Sequence, residues 1–155
     1  MGVAMLFYII AIVVILIDQV SKIWIRMHLD IGESVFFGRW EITHYENSGM
    51  AFSLFQGYAW LFGLIAVLFV IGVFYYRRMG AWNGRFADLI AGFFVGGAIG
   101  NGIDRLVFGQ VTDFIVSTSG RGILNLADYA INIGLILLVL YTAVRFVKKR
   151  VCHAH

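Results

Sequence analysis

The sequence predicts an integral membrane protein that is mainly α-helical, with four transmembrane helices and a small β-hairpin region on the outer face of the membrane. Composition is the first reason: 61% of the 155 residues are hydrophobic and only 14% are charged, whereas soluble domains are about half apolar and about a quarter charged. The second reason is that four segments reach the roughly 20 mostly apolar residues that a spanning helix needs. They lie at about residues 3–25, 58–76, 86–104 and 129–147, and we expect a single integral membrane domain over residues 1–155.

The first segment, "VAMLFYIIAIVVILIDQVSKIWI", is predicted to be a retained helix. It lacks the basic start of a secretory signal peptide, and no small-residue cleavage site follows it. The second and fourth segments are predominantly apolar throughout. The third segment carries Gly92, Gly96 and Gly100 at every fourth position, a spacing that lets another helix approach closely.

Lysine and arginine set the orientation, because short cytoplasmic loops are rich in both. Basic residues follow the second and fourth helices at Arg77, Arg78, Arg85, Lys148, Lys149 and Arg150. We therefore expect both chain termini to be cytoplasmic and the loops at about residues 26–57 and 105–128 to face outward. Topology and contact with anionic lipids account for these residues, so we expect no nucleic-acid partner.

Both outer loops contain hairpin signals. In "ESVFFGRWEITHYENSG", strand-forming residues flank Gly38–Arg39, which indicates a hairpin. In "DFIVSTSGRGILNLAD", Gly120–Arg121 suits a two-residue turn of type II′, and that turn would place Asp113 directly opposite Asp128.

A competing interpretation of the second loop is helical. In "NLAD", Asn125 can cap the fourth helix with Asp128 at its third position, as in a capping box. Asp128 would then not be a strand partner of Asp113. Both interpretations leave Asp128 at the outer end of the fourth helix.

Asp113 and Asp128 are the candidate chemical groups. A carboxylate at a membrane boundary is costly unless it is satisfied, which makes it a functional hypothesis. Two adjacent carboxyl groups cannot both ionise easily, so one keeps its proton, and the pair supplies a base and an acid for attack of water on a carbonyl group. The simpler alternatives are a helix-start acid at Asp128, favoured by the helix dipole, and a solvated loop acid at Asp113.

Other polar residues have structural and functional interpretations. Asp18 and Lys22 have the spacing of a helical ion pair. Asp104 continues the glycine face of the third helix, and it could form an interfacial ion pair with Arg105. Asn101 and Arg105 form a second pair four residues apart, and Asn47 and Gly49 suit a turn.

Metal and disulfide chemistry are not indicated. The histidines, His28, His44, His153 and His155, have no helical ligand spacing with acids, so we expect neither a metal nor a cofactor. A single cysteine, Cys152, excludes an intramolecular disulfide, and its place in a basic tail leaves lipidation or a bystander thiol open.

Taken together, the motifs resemble the bacterial lipoprotein signal peptidases, also called signal peptidase II. The matching pieces are "DQVSK", "ENSGMAF", "GGAIGNGIDR", "VTDFI" and "LNLADYAIN", which occur in the order of the family. The resemblance implies an aspartic endopeptidase of the bacterial cytoplasmic membrane. Such an enzyme removes the signal peptide from a diacylglyceryl-modified prolipoprotein by cutting just before the lipidated cysteine.

The resemblance also implies site residues and partners. The catalytic pair would be Asp113 and Asp128, and the supporting residues would be Asp18, Lys22, Asn47, Gly49, Asn101, Asp104, Arg105 and Asn125. The first outer loop would form a small β-cradle and a mobile segment that clamp the substrate. The implied partners are the prolipoprotein, membrane lipids and globomycin-like inhibitors, and the protein is expected to be a monomer with its active site at the outer face.

Two rival interpretations belong to other classes. One is a small ion or proton pathway built from intramembrane acids, and the other is a lipid-binding scaffold with an inactive site. The acids gather towards one face, with Asp88 as the exception at the inner end, which is not the pattern of a relay across the bilayer. The presence of both Asp113 and Asp128 weighs against an inactive site.

Overall fold

The computed structural model describes residues 2–49, 54–80, 82–117 and 122–153. Within these residues the helices are α1 (Gly2–His28), α2 (Ala59–Arg78), α3 (Arg85–Val107) and α4 (Leu126–His153). The strands are β1 (Ser34–Phe37), β2 (Trp40–Asn47), β3 (Val111–Val116) and β4 (Ile123–Leu124). All four helices are long and apolar enough to cross a membrane. The predicted fold class, four spanning helices with a small β region, is confirmed.

Helix α3 is the centre of the bundle and packs against the other three helices. Its most apolar stretch is 67% buried, compared with 22% or less for the corresponding stretches of α1, α2 and α4. Those three helices instead carry many exposed large hydrophobic side chains, such as Leu16, Leu68 and Leu140. Exposed apolar surface on this scale is expected where lipid, and not water, surrounds a protein.

The glycines of α3 allow α1 to approach closely. A Cβ atom added at Gly92 would lie 2.8 Å from the Cβ of Ile10, and one at Gly96 would lie 2.7 Å from the Cβ of Val14. At Gly100 the added atom would lie 2.6 Å from a carboxylate oxygen of Asp18. The close helix approach predicted from the glycine spacing is therefore confirmed, and its partner is α1.

The two loops contribute to one antiparallel sheet with strand order β1-β2-β3-β4. Phe37 pairs with Trp40, so the hairpin predicted at Gly38–Arg39 is confirmed. Strand β2 then pairs with β3, which joins the first loop to the second. The sheet packs against the last turns of α1 and α3, and β4 leads directly into α4. We call this end of the bundle the sheet end.

The predicted register of the second hairpin is wrong. Ile115 pairs with Leu124, and the N–H of Ser117 donates to the carbonyl of Gly122, so a strand pairing of Asp113 with Asp128 does not form. The physical reason is that α4 begins at Leu126 and takes Asp128 into its first turn. The Gly120–Arg121 turn itself lies outside the described residues.

The helices also end later or begin earlier than their apolar stretches suggested. α1 continues to His28 and α3 to Val107, beyond the expected ends near residues 25 and 104, and α4 begins three residues before the expected 129. In the extension of α1, Arg26 bonds to Asp104 and Thr112, and in the extension of α4, Asp128 bonds to Asn125.

Replacing Gly96 by alanine should push α1 away from α3. We expect the free energy of unfolding to fall by about 1–3 kcal/mol, the usual cost of overpacking a well-packed core. The matched control is Gly72→Ala, because a Cβ atom there meets nothing within 4 Å. Its stability should be unchanged or higher by up to about 1 kcal/mol, the helix preference of alanine over glycine. Unfolding of both variants by denaturing detergent would measure the difference, and equal stabilities would contradict the close packing.

Candidate active site

Asn125 starts α4 and fixes the orientation of Asp128. The N–H of Asp128 donates to Oδ1 of Asn125 at 2.9 Å, and the N–H of Asn125 donates to Oδ2 of Asp128 at 3.2 Å. This reciprocal pair is a capping box, with the asparagine at the cap and the acid three residues later. The helical interpretation of "NLAD" is therefore confirmed, and it places the Asp128 carboxylate at the sheet end.

The same asparagine brings Asp113 to Asp128. The Asn125 side chain is completely buried, and its Nδ2 donates to Oδ1 of Asp113 at 2.6 Å. Nδ2 of Asn47 donates to the other oxygen of Asp113 at 3.1 Å. Two acids from a strand and a helix are thus held in one site by amide groups of predicted site residues.

Burial changes the protonation of Asp113. Desolvation by burial, reinforced by the negative charge of Asp128, raises the pKa of Asp113 from 3.8 to about 7. The hydrogen bonds from Asn47 and Asn125 and the positive charge of Lys22 act in the opposite direction and do not overcome burial. The Asp113 carboxyl group therefore gives up its proton at a higher pH than an ordinary aspartate, close to the negative charge of Asp128.

Lys22 lies at the centre of a buried ion cluster behind this pair. Its ammonium nitrogen lies 2.8 Å from Asp18 and 3.1 Å from Asp104, and none of the three side chains has exposed surface. The ion pair predicted for Asp18 and Lys22 is confirmed. Lys22 also donates to Oδ1 of Asn101 at 2.9 Å, and Nδ2 of Asn101 donates to Asp128 at 2.8 Å. Asn101 thereby connects the lysine to the candidate acid pair.

Asp104 pairs with α1 and not with its sequence neighbour. Besides Lys22, its ion-pair partner is Arg26, at 2.9 Å. The guanidinium of Arg105 instead donates to the carbonyl oxygens of Asn101 and Gly49, at 3.5 and 3.4 Å. The expected interfacial ion pair of Asp104 with Arg105 is therefore wrong, because neighbouring positions on a helix do not face each other.

Asn47 and Gly49 form the expected turn. The N–H of Gly49 donates to Oδ1 of Asn47 at 3.0 Å, as in an Asx-turn. Nε2 of Gln56 donates to the same oxygen at 3.2 Å. This turn leads out of β2 and fixes the amide that contacts Asp113.

Gln19 was not predicted as a site residue. Its Nε2 donates to the carbonyl of Gly100 at 3.0 Å and to Asp104 at 3.3 Å, which helps to hold α1 against α3. The available signal was a second polar residue beside Asp18, in a helix that is apolar up to that point. Among the described residues, no group of three or more His, Cys, Asp or Glu side chains could hold a metal ion.

Comparisons with known proteins agree with this architecture. Residues 10–144 match the family model described as signal peptidase (SPase) II. A lipoprotein signal peptidase of Halalkalibacterium halodurans is 38% identical over 141 residues, which cover 88% of this chain and 90% of that protein. A lipoprotein signal peptidase of Gloeobacter violaceus is 38% identical over 139 residues, which cover 88% of this chain and 80% of that protein.

Solved structures give the same result at the level of the fold. A bacterial membrane enzyme determined by the in meso method at 2.3 Å resolution superposes with a TM-score of 0.82 at 31% identity, covering 88% of this chain and 87% of that one. A second such structure, at 1.9 Å resolution, gives a TM-score of 0.78 at 31% identity. Since the family model spans most of the chain and the spanning helices are present, the chain is a multi-pass bacterial membrane protein that belongs to the signal peptidase II family.

Proposed function

We propose that the chain is an aspartic endopeptidase that removes signal peptides from diacylglyceryl-modified prolipoproteins by cutting just before the lipidated cysteine. The observation that carries the proposal is the pair of Asp113 and Asp128, joined through Asn125 at the sheet end. Membership of the signal peptidase II family supplies the substrate class. No metal or cofactor takes part in the proposed reaction.

We assign the roles of the two acids from their environments. Asp113, with a pKa of about 7, keeps a proton that it can donate to the oxygen of the scissile carbonyl. Asp128 accepts hydrogen bonds from Asn101 and from the N–H of Asn125, and hydrogen bonds to a carboxylate favour its charged form. It therefore acts as the base that takes a proton from the attacking water.

The supporting residues serve the same reaction in different ways. Asp18, Lys22 and Asp104 hold the helices, and Asn101 and Asn125 orient Asp128. Asn47 orients Asp113, while Gly49 and Arg105, which are linked by a hydrogen bond, border the turn after β2. That turn is the segment that we assign to contact with the substrate backbone and with globomycin-like inhibitors.

We assign this site to the outer membrane face because of the distribution of basic residues. The basic residues that follow α2 and α4 belong on the cytoplasmic side, and the sheet end is the opposite end of the bundle. Both termini are then cytoplasmic. The acyl chains of the substrate remain in the bilayer, where each buried methylene contributes about 0.8 kcal/mol of binding free energy. They therefore hold the scissile bond near one depth in the membrane. The enzyme in this proposal is a monomer made of a single domain.

An ion or proton pathway is less well supported. The buried acids Asp18, Asp104, Asp113 and Asp128 gather at the sheet end, whereas Asp88 pairs with Arg77. Asp88 and Asp104 lie sixteen positions apart on α3, or about 24 Å along the helix. A proton relay would need acids or water between them.

Asn substitutions of the two acids test the mechanism. Asp113→Asn and Asp128→Asn should each lower turnover of a diacylglyceryl-modified prolipoprotein by about 1,000-fold or more, the scale seen when one member of a catalytic group is removed. Cleavage by purified protein in detergent, followed by gel shift, measures the loss. The matched control is Asp30→Asn, an exposed acid between α1 and β1 that should retain wild-type turnover.

Each result of that experiment decides between the candidates. Normal turnover by either site variant would refute the acid pair. If the folded wild type binds the substrate without cutting it, the chain is a scaffold with an inactive site. Proton flux in proteoliposomes that is lost in both variants, without cleavage, would support the pathway instead.

The pKa of Asp113 predicts a falling rate at alkaline pH. The reactive form carries the proton, so kcat/KM should be highest below pH 7 and should fall as the pH rises through about 7. A rate that stays constant through and above this pH would show that Asp113 is not the acid. The profile is measured with one substrate in one detergent, so that substrate binding to micelles does not change.

The same pKa makes a separate prediction about stability. Because burial raises the pKa of Asp113 in the folded state, this group contributes stability that is fully present below pH 3.8, its ordinary pKa. That stability is lost as the pH rises towards about 7. Asp113→Asn removes that loss. Between low pH and pH values above 7, the stability of the variant should therefore fall less than that of the wild type, by at most about 4 kcal/mol, as measured by thermal unfolding in detergent. If the stability of Asp113→Asn falls from low to high pH by as much as that of the wild type, the raised pKa of Asp113 is contradicted.

A further inference from the structure

The part of the sheet formed by β2 and β3 carries different side chains on its two faces. Successive side chains of a strand point to opposite sides, so Asn47 and Asp113 lie on the face of the acid pair and Glu46 and Thr112 lie on the other. Glu46 and Thr112 are directly paired across the strands, and the hydroxyl of Thr112 donates to Oε1 of Glu46 at 2.9 Å. The residues next to the candidate acid and its amide partner are thus bonded to each other.

A continuous chain of hydrogen bonds runs along this second face. Nε of Arg26 in α1 donates to the hydroxyl of Thr112 at 2.7 Å, and the guanidinium of Arg26 pairs with Asp104. At the other end, Nε2 of His44 lies 2.8 Å from the oxygen of Glu46 that binds Thr112. We call Arg26, Thr112, Glu46 and His44 the rear chain.

The rear chain is anchored at both ends. Arg26 belongs to the ion cluster of α1 and α3, and Nδ1 of His44 lies 2.8 Å from the carbonyl oxygen of Leu29, just after α1. Thr112 has no exposed surface and His44 is 5% exposed, while the Glu46 side chain is 11% exposed. Competition from water is therefore weak, and each buried partner that loses its bond costs free energy.

His44 links the end of α1 to strand β2 through both of its ring nitrogens. The carbonyl of Leu29 can only accept, so Nδ1 of His44 donates to it. Nε2 of the same ring lies within hydrogen-bond distance of the Glu46 carboxylate, at 2.8 Å.

A bulge in β2 creates this arrangement. Ile42 pairs with Ile115 and Tyr45 with Asp113, so two residues of β2 lie opposite one residue of β3 between these pairs. His44 is one of the two residues that share this single partner. A bulge changes the direction of nearby side chains and fixes the register of the strand. Here the bonds of His44 hold the bulge against the end of α1.

We propose that Thr112, Glu46 and His44 are positioning residues for Asp113 and Asn47. They tie the rear face of β2 and β3 to α1, and so fix the rotation and register that aim the two side chains at the acid pair. The proposal rests on the role proposed above for Asp113. Since catalysis needs reacting groups placed to within about 1 Å, loosening this support should slow the chemical step by about 10- to 100-fold.

The first test uses Glu46. Glu46→Ala removes the link between Thr112 and His44, whereas Glu46→Gln can place an amide nitrogen where Oε1 lies, with one hydrogen for Nε2 of His44 and the other for the hydroxyl oxygen of Thr112. Glu41→Ala is the matched control, because Glu41 lies on the same strand and its carboxylate accepts a bond from Ser34 at 3.0 Å. Kinetics of prolipoprotein cleavage in detergent should show kcat reduced in Glu46→Ala with little change in KM, largely restored in Glu46→Gln and normal in Glu41→Ala.

The second test uses Thr112, in case Glu46→Ala fails to fold. Thr112→Val keeps the shape of the side chain but removes the hydroxyl, and Thr112→Ser keeps the hydroxyl. The valine variant should lose kcat and the serine variant should retain it. Equal kcat in these two folded variants, or equal kcat in Glu46→Ala and Glu41→Ala, would overturn the proposal.

Hydrogen exchange separates this proposal from the proposed function. The amides of β3 should exchange faster in Thr112→Val than in Thr112→Ser, whether or not the protein cleaves its substrate. If the wild type cuts no prolipoprotein, the proposed function fails, and faster exchange would still show that the rear chain holds β3. Unchanged exchange in Thr112→Val would overturn the positioning role even in an active enzyme.

Discussion

The sheet end depends on the buried ammonium group of Lys22. An unpaired charge in a low-dielectric interior costs several kcal/mol, and Lys22, Asp18 and Asp104 have no exposed side-chain surface. The cluster is satisfied only while α1 and α3 keep these groups within 3.1 Å. Their separation and register are therefore fixed by charge as well as by packing. Asn101 bonds to both Lys22 and Asp128, so it also fixes the position of α4 relative to this cluster.

Close packing and the charge cluster require each other. A side chain at Gly100 would collide with Asp18, whose other carboxylate oxygen accepts the N–H of Ala127 in the first turn of α4. The glycine thus makes room for a charged group and for a third helix at one point. Asp104 extends the same cluster to the sheet by accepting the N–H of Thr112, the residue before Asp113. In this way the helices position a strand that carries one acid and a helix start that carries the other.

Local features of the sequence predicted much of this structure. The spanning helices follow from apolar length, the hairpin at Gly38–Arg39 from its turn and flanking strand residues, and the start of α4 from its capping box. The register opposite Asp128 was not predictable, because it depends on how many residues the turn uses and on where a competing helix begins. The partners of Asp104 lie on α1, and spacing within one segment does not say which other segment lies opposite. Gln19 was missed for the same reason: its bonds cross from α1 to α3.

The two acids show how environment can separate identical groups. Asp128 sits in the first turn of α4, where the positive end of the helix dipole favours a negative charge. Asp113 sits on a strand without that dipole, and burial leaves it with a pKa of about 7. Asn125 bonds to both acids through different atoms, its backbone N–H to Asp128 and its side-chain amide to Asp113. One residue thus holds both acids, while burial raises the pKa of Asp113. In the proposed mechanism, attack of water on a peptide bond requires one proton on the pair, and the raised pKa makes Asp113 its carrier.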